Sequence, residues 1–103
     1  MEAIVAREIS SAAITAVCRK YRIRELAIFG SVARGVADPR SDVDVYVEFE
    51  AGYHPGLGWF DLEEELESLF GRRVDLSRKS LLKPRVRREA VRDAVVLYAV
   101  GHE

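Results

Sequence analysis

Apolar positions recur in two rhythms along the chain, one helical and one strand-like, and their alternation predicts the elements. From about Val5 to Arg22, the residues Ile9, Ala12, Ala13, Ala16 and Val17 fall at helical spacing, and Arg19-Lys20 suits the negative pole at a helix C-terminus. A buried strand follows at about 25–29, its Leu26-Ala27-Ile28-Phe29 running straight into Gly30-Ser31. Ser31 to Gly35 reads as one short helical turn closed by Gly35, and Val36 to Arg40 as a loop. Asp42 to Phe49 alternates strictly: Val43, Val45, Val47 and Phe49 take one face, and Asp42, Asp44, Tyr46 and Glu48 the other. Such a strand belongs in a sheet packed on helices on one face and open on the other, with the acids on the open side.

Gly52 to Gly58 is a flexible connection. A second long helix at about 59–70 buries Trp59, Leu62, Leu66, Leu69 and Phe70, and Gly71 stops it. Arg73 to Leu76 forms a short third strand with Asp75 on the face opposite Val74 and Leu76. Pro84 opens a third helix carrying Val86, Ala90 and Val91, and Val95 to Tyr98 makes a final short strand. With no repeat or low-complexity tract, residues 1–103 read as one domain, and hydrophobic residues at 49% suffice for a single core.

Charge is balanced overall and uneven locally. Ten acids stand between Asp38 and Glu67 against the single base Arg40, and nine bases between Arg72 and Arg92 against Asp75 and Glu89. This asymmetry reads either as a docking surface for an acidic partner or nucleic acid, or as helix faces that neutralise one another. A net charge of -1 argues against RNA as a substrate. No apolar run approaches the roughly 18 residues that span a membrane, and the N-terminus lacks the pattern of a signal peptide, so the chain is expected in the cytoplasm. Cys18 is the only cysteine and reads as a small core residue.

The chemistry concentrates in Gly30-Ser31, ten intervening residues, and Asp42-Val43-Asp44. Carboxylates two positions apart on a strand share a face, and hard divalent ions such as magnesium prefer carboxylates, water and phosphate oxygens. A glycine lets backbone amides approach a bound group, and a helix starting at Ser31 would turn free N–H groups toward an anion. Asp75 supplies a third acid on a third strand, able to take the proton of an incoming hydroxyl. A phosphate cradle beside a dicarboxylate metal site is equipment for phosphoryl or nucleotidyl transfer. His54, in the Gly/Pro-rich loop, reads as an exposed loop residue with a nucleotide cover as the alternative; His102 reads as inert. Tyr46 is placed on the open face, and Arg72 and Arg73 either bind phosphate or complement a helix dipole.

Gly30-Ser31-Val32-Ala33-Arg34-Gly35, then Ser41-Asp42-Val43-Asp44, then Val74-Asp75-Leu76 resembles the minimal nucleotidyltransferase group of the DNA polymerase β-like superfamily. The likeness extends over nearly the whole chain and includes Leu82-Lys83-Pro84 and Arg88-Glu89-Ala90-Val91. It implies an α+β fold of two layers, with a small mixed sheet and helices packed on one face. It further implies magnesium-dependent transfer of a nucleoside monophosphate from a triphosphate. By position, Gly30 and Ser31 would hold the triphosphate, Asp42 and Asp44 two magnesium ions, and Asp75 would be the third metal-binding and catalytic acid. Arg34 would reach a phosphate or form a salt bridge to Asp38 or Asp42. Minimal members of this family pair with an all-helical HEPN ribonuclease toxin and serve as its antitoxin, some by moving AMP from ATP onto a toxin tyrosine.

Three functions fit these residues. One is an active nucleotidyltransferase that modifies a partner protein; another is an antitoxin that acts by binding alone; the third is a transferase subunit acting on a small molecule or an RNA end. Crowded acids on one face repel one another and favour a cation-using enzyme over a mere binder. A free edge of the second or final strand would admit pairing with another copy of the chain.

Overall fold

The computed structural model describes residues 9–38 and 40–100, so the expected helical positions before Ile9, Pro39 of the loop, and His102 lie outside the described residues. Helix α1 (Ser11–Lys20) begins where the Ser10 hydroxyl accepts the amide of Ala13 at 3.2 Å, a side-chain cap that satisfies one of the free N–H groups of the first turn. Its inward face is Ile14, Val17 and Cys18, while Ala12 and Ala16 are exposed. The larger side chains at helical spacing take the core because they remove more apolar area from water than alanine does. Burial pushes the Cys18 thiol up to about 12, as suits a core residue. Tyr21, next after the helix, is buried with its hydroxyl donating to Glu65 at 2.6 Å.

Strand β1 (Ile23–Phe29) begins two residues before the expected start and runs directly into the short helix α2 (Gly30–Arg34), which Gly35 closes in the left-handed conformation. Strand β2 (Val43–Phe49) leads through the Gly/Pro-rich loop to α3 (Gly58–Phe70), which buries Leu62, Leu66 and Phe70 and ends at a left-handed Gly71. Strand β3 (Val74–Arg78), a single 3₁₀ turn (Lys79–Leu81), α4 (Pro84–Asp93) with proline in its first turn, and β4 (Val95–Ala99) complete the chain.

The four strands form one mixed sheet in the order β3-β2-β1-β4, with β2 and β3 parallel and the other pairs antiparallel. A parallel pair needs a long crossover, and α3 provides it. Helices α1 and α3 cover the face bearing Leu26, Ile28, Val43, Val45, Val47 and Leu76. This is the α+β architecture that the resemblance implies.

The opposite face is only partly open. Tyr46 is buried against Ala27 and Ala90, with the Phe29 ring 5.7 Å away and its hydroxyl donating to Glu25 at 3.3 Å. Helix α4 therefore crosses the middle of the face that the alternation leaves to solvent, and the small side chains of Ala27 and Ala90 permit the approach. Val86 and Val91 of α4 are nearly half exposed, Val86 at the edge of a cleft it shares with Phe29, Gly30 and Arg34. Strand β2 lies inside the sheet, so the strands open to further pairing are β3 and β4. Among the described residues no helix is long and apolar enough to cross a membrane.

Candidate active site

Strand register assembles the acids. Phe29, the last residue of β1, lies opposite Asp44, and on the other side of β2 Asp44 lies opposite Asp75. Neighbouring strands are about 4.8 Å apart, so the two carboxylates leave adjacent backbones on one face. Asp42 stands two residues before Asp44, one position ahead of the strand rather than inside it, and is exposed. Asp44 is half-buried. Burial first, then the charges of Asp75 and Asp42, raise its carboxyl above the usual aspartate range, with Arg34 acting in the opposite direction. Among the described residues none of the three carboxylates forms an ion pair.

Gly30 follows directly on the residue that faces Asp44, so the turn into α2 wraps the acid. Its φ of +74 lies in the left-handed region, and a Cβ there would stand 3.2 Å from the Asp44 carboxyl carbon and closer still to its Oδ2. Only a residue without a side chain lets the turn approach this carboxylate so closely. Ser31, partly buried, opens the helical turn, and its carbonyl accepts the amide of Val36 at 3.0 Å.

The carboxylates fit a divalent ion as a donor set. Among the described residues no three potential ligands converge on one point; the acids stand side by side at the ends of two strands. That arrangement suits magnesium, which is usually held by one or two carboxylates and completes its octahedron with water and phosphate oxygens.

Three further residues position the site. Arg72, placed after α3, donates to the carbonyl of Ser41 at 2.6 and 3.2 Å and to that of Asp38 at 3.0 Å, clamping the segment that delivers Asp42. Its Nε and Nη2 are engaged with backbone carbonyls of the segment that leads into β2. Glu67 accepts the amide of Val74 at 3.0 Å and so fixes the start of the strand that carries Asp75. Arg34 pairs with Asp93 at 3.2 Å, not with Asp38 or Asp42; Asp38 instead caps the amide of Arg40 at 2.7 Å. No local pattern points to Asp93, because it acts on a distant stretch of chain.

His54 stands away from the acids. Its Nδ1 is 3.5 Å from Arg78, whose guanidinium lies over the Phe49 ring on the helix-packed face. Among the described residues the close ion pairs of these stretches include Glu65 with Lys20, Lys79 with Glu25, and Arg85 with Glu89, none of which joins the acidic stretch to the basic one. Arg72→Ala is expected to leave the carbonyls of Ser41 and Asp38 without their charged donor, lowering stability by about 1.5–3 kcal/mol and catalytic turnover roughly tenfold through Asp42. Arg72→Lys should recover little of either, since an ammonium lacks the planar fork. Urea unfolding and nucleotidyl-transfer rates check both.

The site thus combines a left-handed glycine against one carboxylate with two more acids on neighbouring backbone, in a small mixed sheet. The family model described as a nucleotidyltransferase domain matches residues 10–97. The protein adenylyltransferase MntA of Thermococcus cleftensis is 43% identical over 76 residues, covering 74% of this chain and 76% of that protein. A solved candidate minimal nucleotidyltransferase superposes with a TM-score of 0.74 at 36% identity, over 92% of this chain and 95% of that one. The MNT antitoxin complex with the tri-AMPylated HEPN toxin of Shewanella oneidensis contains a chain of the same fold, with TM-score 0.63 and 18% identity over 87% of this chain and 70% of that one. The chain belongs to the minimal nucleotidyltransferases, enzymes of the nucleotidyltransferase domain family.

Proposed function

We propose that this enzyme transfers AMP from ATP to a hydroxyl of a partner protein, with magnesium, and that it serves in the cytoplasm as the antitoxin of a helical HEPN toxin. The observation that carries the catalytic part is the register that makes Asp44 and Asp75 neighbours beside Gly30, with Asp42 two residues away and no protein cation paired to any of the three among the described residues. The identity to a protein adenylyltransferase supports AMP and a protein acceptor. The fold shared with an antitoxin bound to an AMPylated HEPN toxin supports the partner.

In this reading Asp42 and Asp44 would hold two magnesium ions, with Asp75 as the third acid of the set. When bound, magnesium would neutralise phosphate charge and lower the pKa of the attacking hydroxyl. Gly30 and Ser31 lay their backbone along the triphosphate, and Arg34 stands at its edge. Asp75 receives the proton of the acceptor hydroxyl as its oxygen attacks the α-phosphorus and pyrophosphate leaves. Because the protein only positions and neutralises, most of the rate enhancement would come from geometry and charge.

Purified protein incubated with magnesium, each α-labelled nucleoside triphosphate and the helical protein encoded by the adjacent gene provides the test. Label from ATP is expected on a partner hydroxyl, and to be absent with Asp42→Asn/Asp44→Asn. Tight partner binding without label, unchanged in the double variant, would replace the enzymatic reading with an antitoxin that acts by binding.

A further inference from the structure

We infer that Asp93, on the last turn of α4, is a positioning residue that holds the Arg34 guanidinium beside the triphosphate cradle. The inference rests on the reading of Gly30, Ser31 and Arg34 as the triphosphate site. Arg34 ends the short helix that starts at Gly30, and its Nη1 donates to Asp93 Oδ2 at 3.2 Å across 59 residues of sequence. The pair is unequal: the Arg34 side chain is 50% exposed and that of Asp93 19%. Asp93 is thus the more fixed partner, and Arg34 is the side chain that would roam without it. A roaming arginine loses rotamer freedom on each encounter with a phosphate, whereas one already held loses little.

Geometry gives the pair its direction. Phe29, Gly30 and Arg34 on one side, and Ala90 and Asp93 of α4 on the other, line a cleft of about 140 Å³. Arg34 closes the short helix begun by Gly30, the residue that lies against the Asp44 carboxylate. Asp93 therefore sets a cation at the junction of the cleft, the glycine turn and the acids, without itself approaching the reacting atoms. A second arginine, Arg92, reaches Asp93 Oδ1 at 3.6 Å, so the carboxylate carries two guanidinium contacts. Helix α4 is anchored over the sheet by Ala90 in any case, so Asp93 is not needed to dock it.

The test is a double-mutant cycle on nucleotide affinity, read by direct titration of ATP and of AMP in the presence of magnesium, with thermal unfolding of each variant alongside. Asp93→Ala is expected to weaken ATP binding about tenfold, the scale usual for a residue that orients a ligand-binding group, and to leave AMP affinity within about twofold. In the Arg34→Ala background Asp93→Ala should add nothing, because the side chain through which it acts is gone. Asp93→Asn keeps the size and one acceptor and should lie between the two. An equal loss for ATP and AMP, or the same loss with and without Arg34, would overturn the assignment, as would unchanged ATP affinity in a folded Asp93→Asn. Failure of the unsubstituted protein to bind ATP would instead remove the triphosphate site itself.

Discussion

Asp44→Asn is expected to reduce nucleotidyl transfer about 1,000-fold, the upper end of what losing one preorganised electrostatic group costs, while leaving the metal-free fold at least as stable as before. The two expectations have a common cause. Burial, then Asp75 and Asp42, raise the Asp44 carboxyl above its ordinary range. The folded state therefore binds that proton more tightly than the unfolded chain, so the stability Asp44 lends is complete in acid, below the ordinary aspartate range. It is lost as pH rises through the raised value. At neutral pH and without a cation the ionised group is a burden on the fold, and asparagine removes the charge at nearly the same volume. Magnesium changes the sign for the unsubstituted protein: at a concentration near 100 times its dissociation constant it should add about 2.7 kcal/mol, and nothing comparable to Asp44→Asn. Urea unfolding with and without magnesium, repeated from neutral pH down toward the aspartate range, reads all of this. A variant that still transfers within tenfold of the original, or that magnesium stabilises equally, would refute the assignment of Asp44 as the central ligand.

The three acids are legible in the sequence because strand alternation is local: Val43, Val45 and Val47 declare the buried face, and Asp44 must then lie on the other. Asp75 follows by the same rule between Val74 and Leu76. What alternation does not contain is the register between strands, and it is register that puts Asp75 opposite Asp44. The residues that support the site are illegible for a related reason. Arg72 reaches Ser41 across 31 residues and Arg34 reaches Asp93 across 59, and nothing in the intervening sequence marks the partner. Tyr46 shows the limit of binary patterning. Its period places it on the acid face correctly, but whether that face is open depends on where α4 lands, and Ala90, rather than the larger Val86 or Val91, is the side chain that faces it. In helix α1, Val17 and Cys18 take the core as expected, while Ala12 and Ala16 of the expected stripe lie exposed and the larger Ile14 completes the inward face.

Gly30→Ala should cost more activity than its loss of stability alone explains, and Gly35→Ala separates the two effects. Both glycines have nearly the same left-handed φ, +74 at Gly30 and +76 at Gly35, so an alanine at either meets a backbone cost of about 1–2 kcal/mol. Their surroundings differ completely. A Cβ at Gly35 meets nothing within 4 Å, whereas at Gly30 it meets the Asp44 carboxylate head-on. The backbone of β1 and β2 is locked by their ladder, so the carboxylate is the group that must move. Displacing a reacting-site group by about 1 Å can cost roughly 100-fold in rate, and that is the loss expected for Gly30→Ala, together with weakened magnesium binding. Gly35→Ala should unfold at similarly reduced denaturant yet transfer nucleotide at close to the original rate under conditions where it is folded. Equal activities for the two variants would mean that Gly30 serves only the turn, and that its close approach to Asp44 has no part in the chemistry.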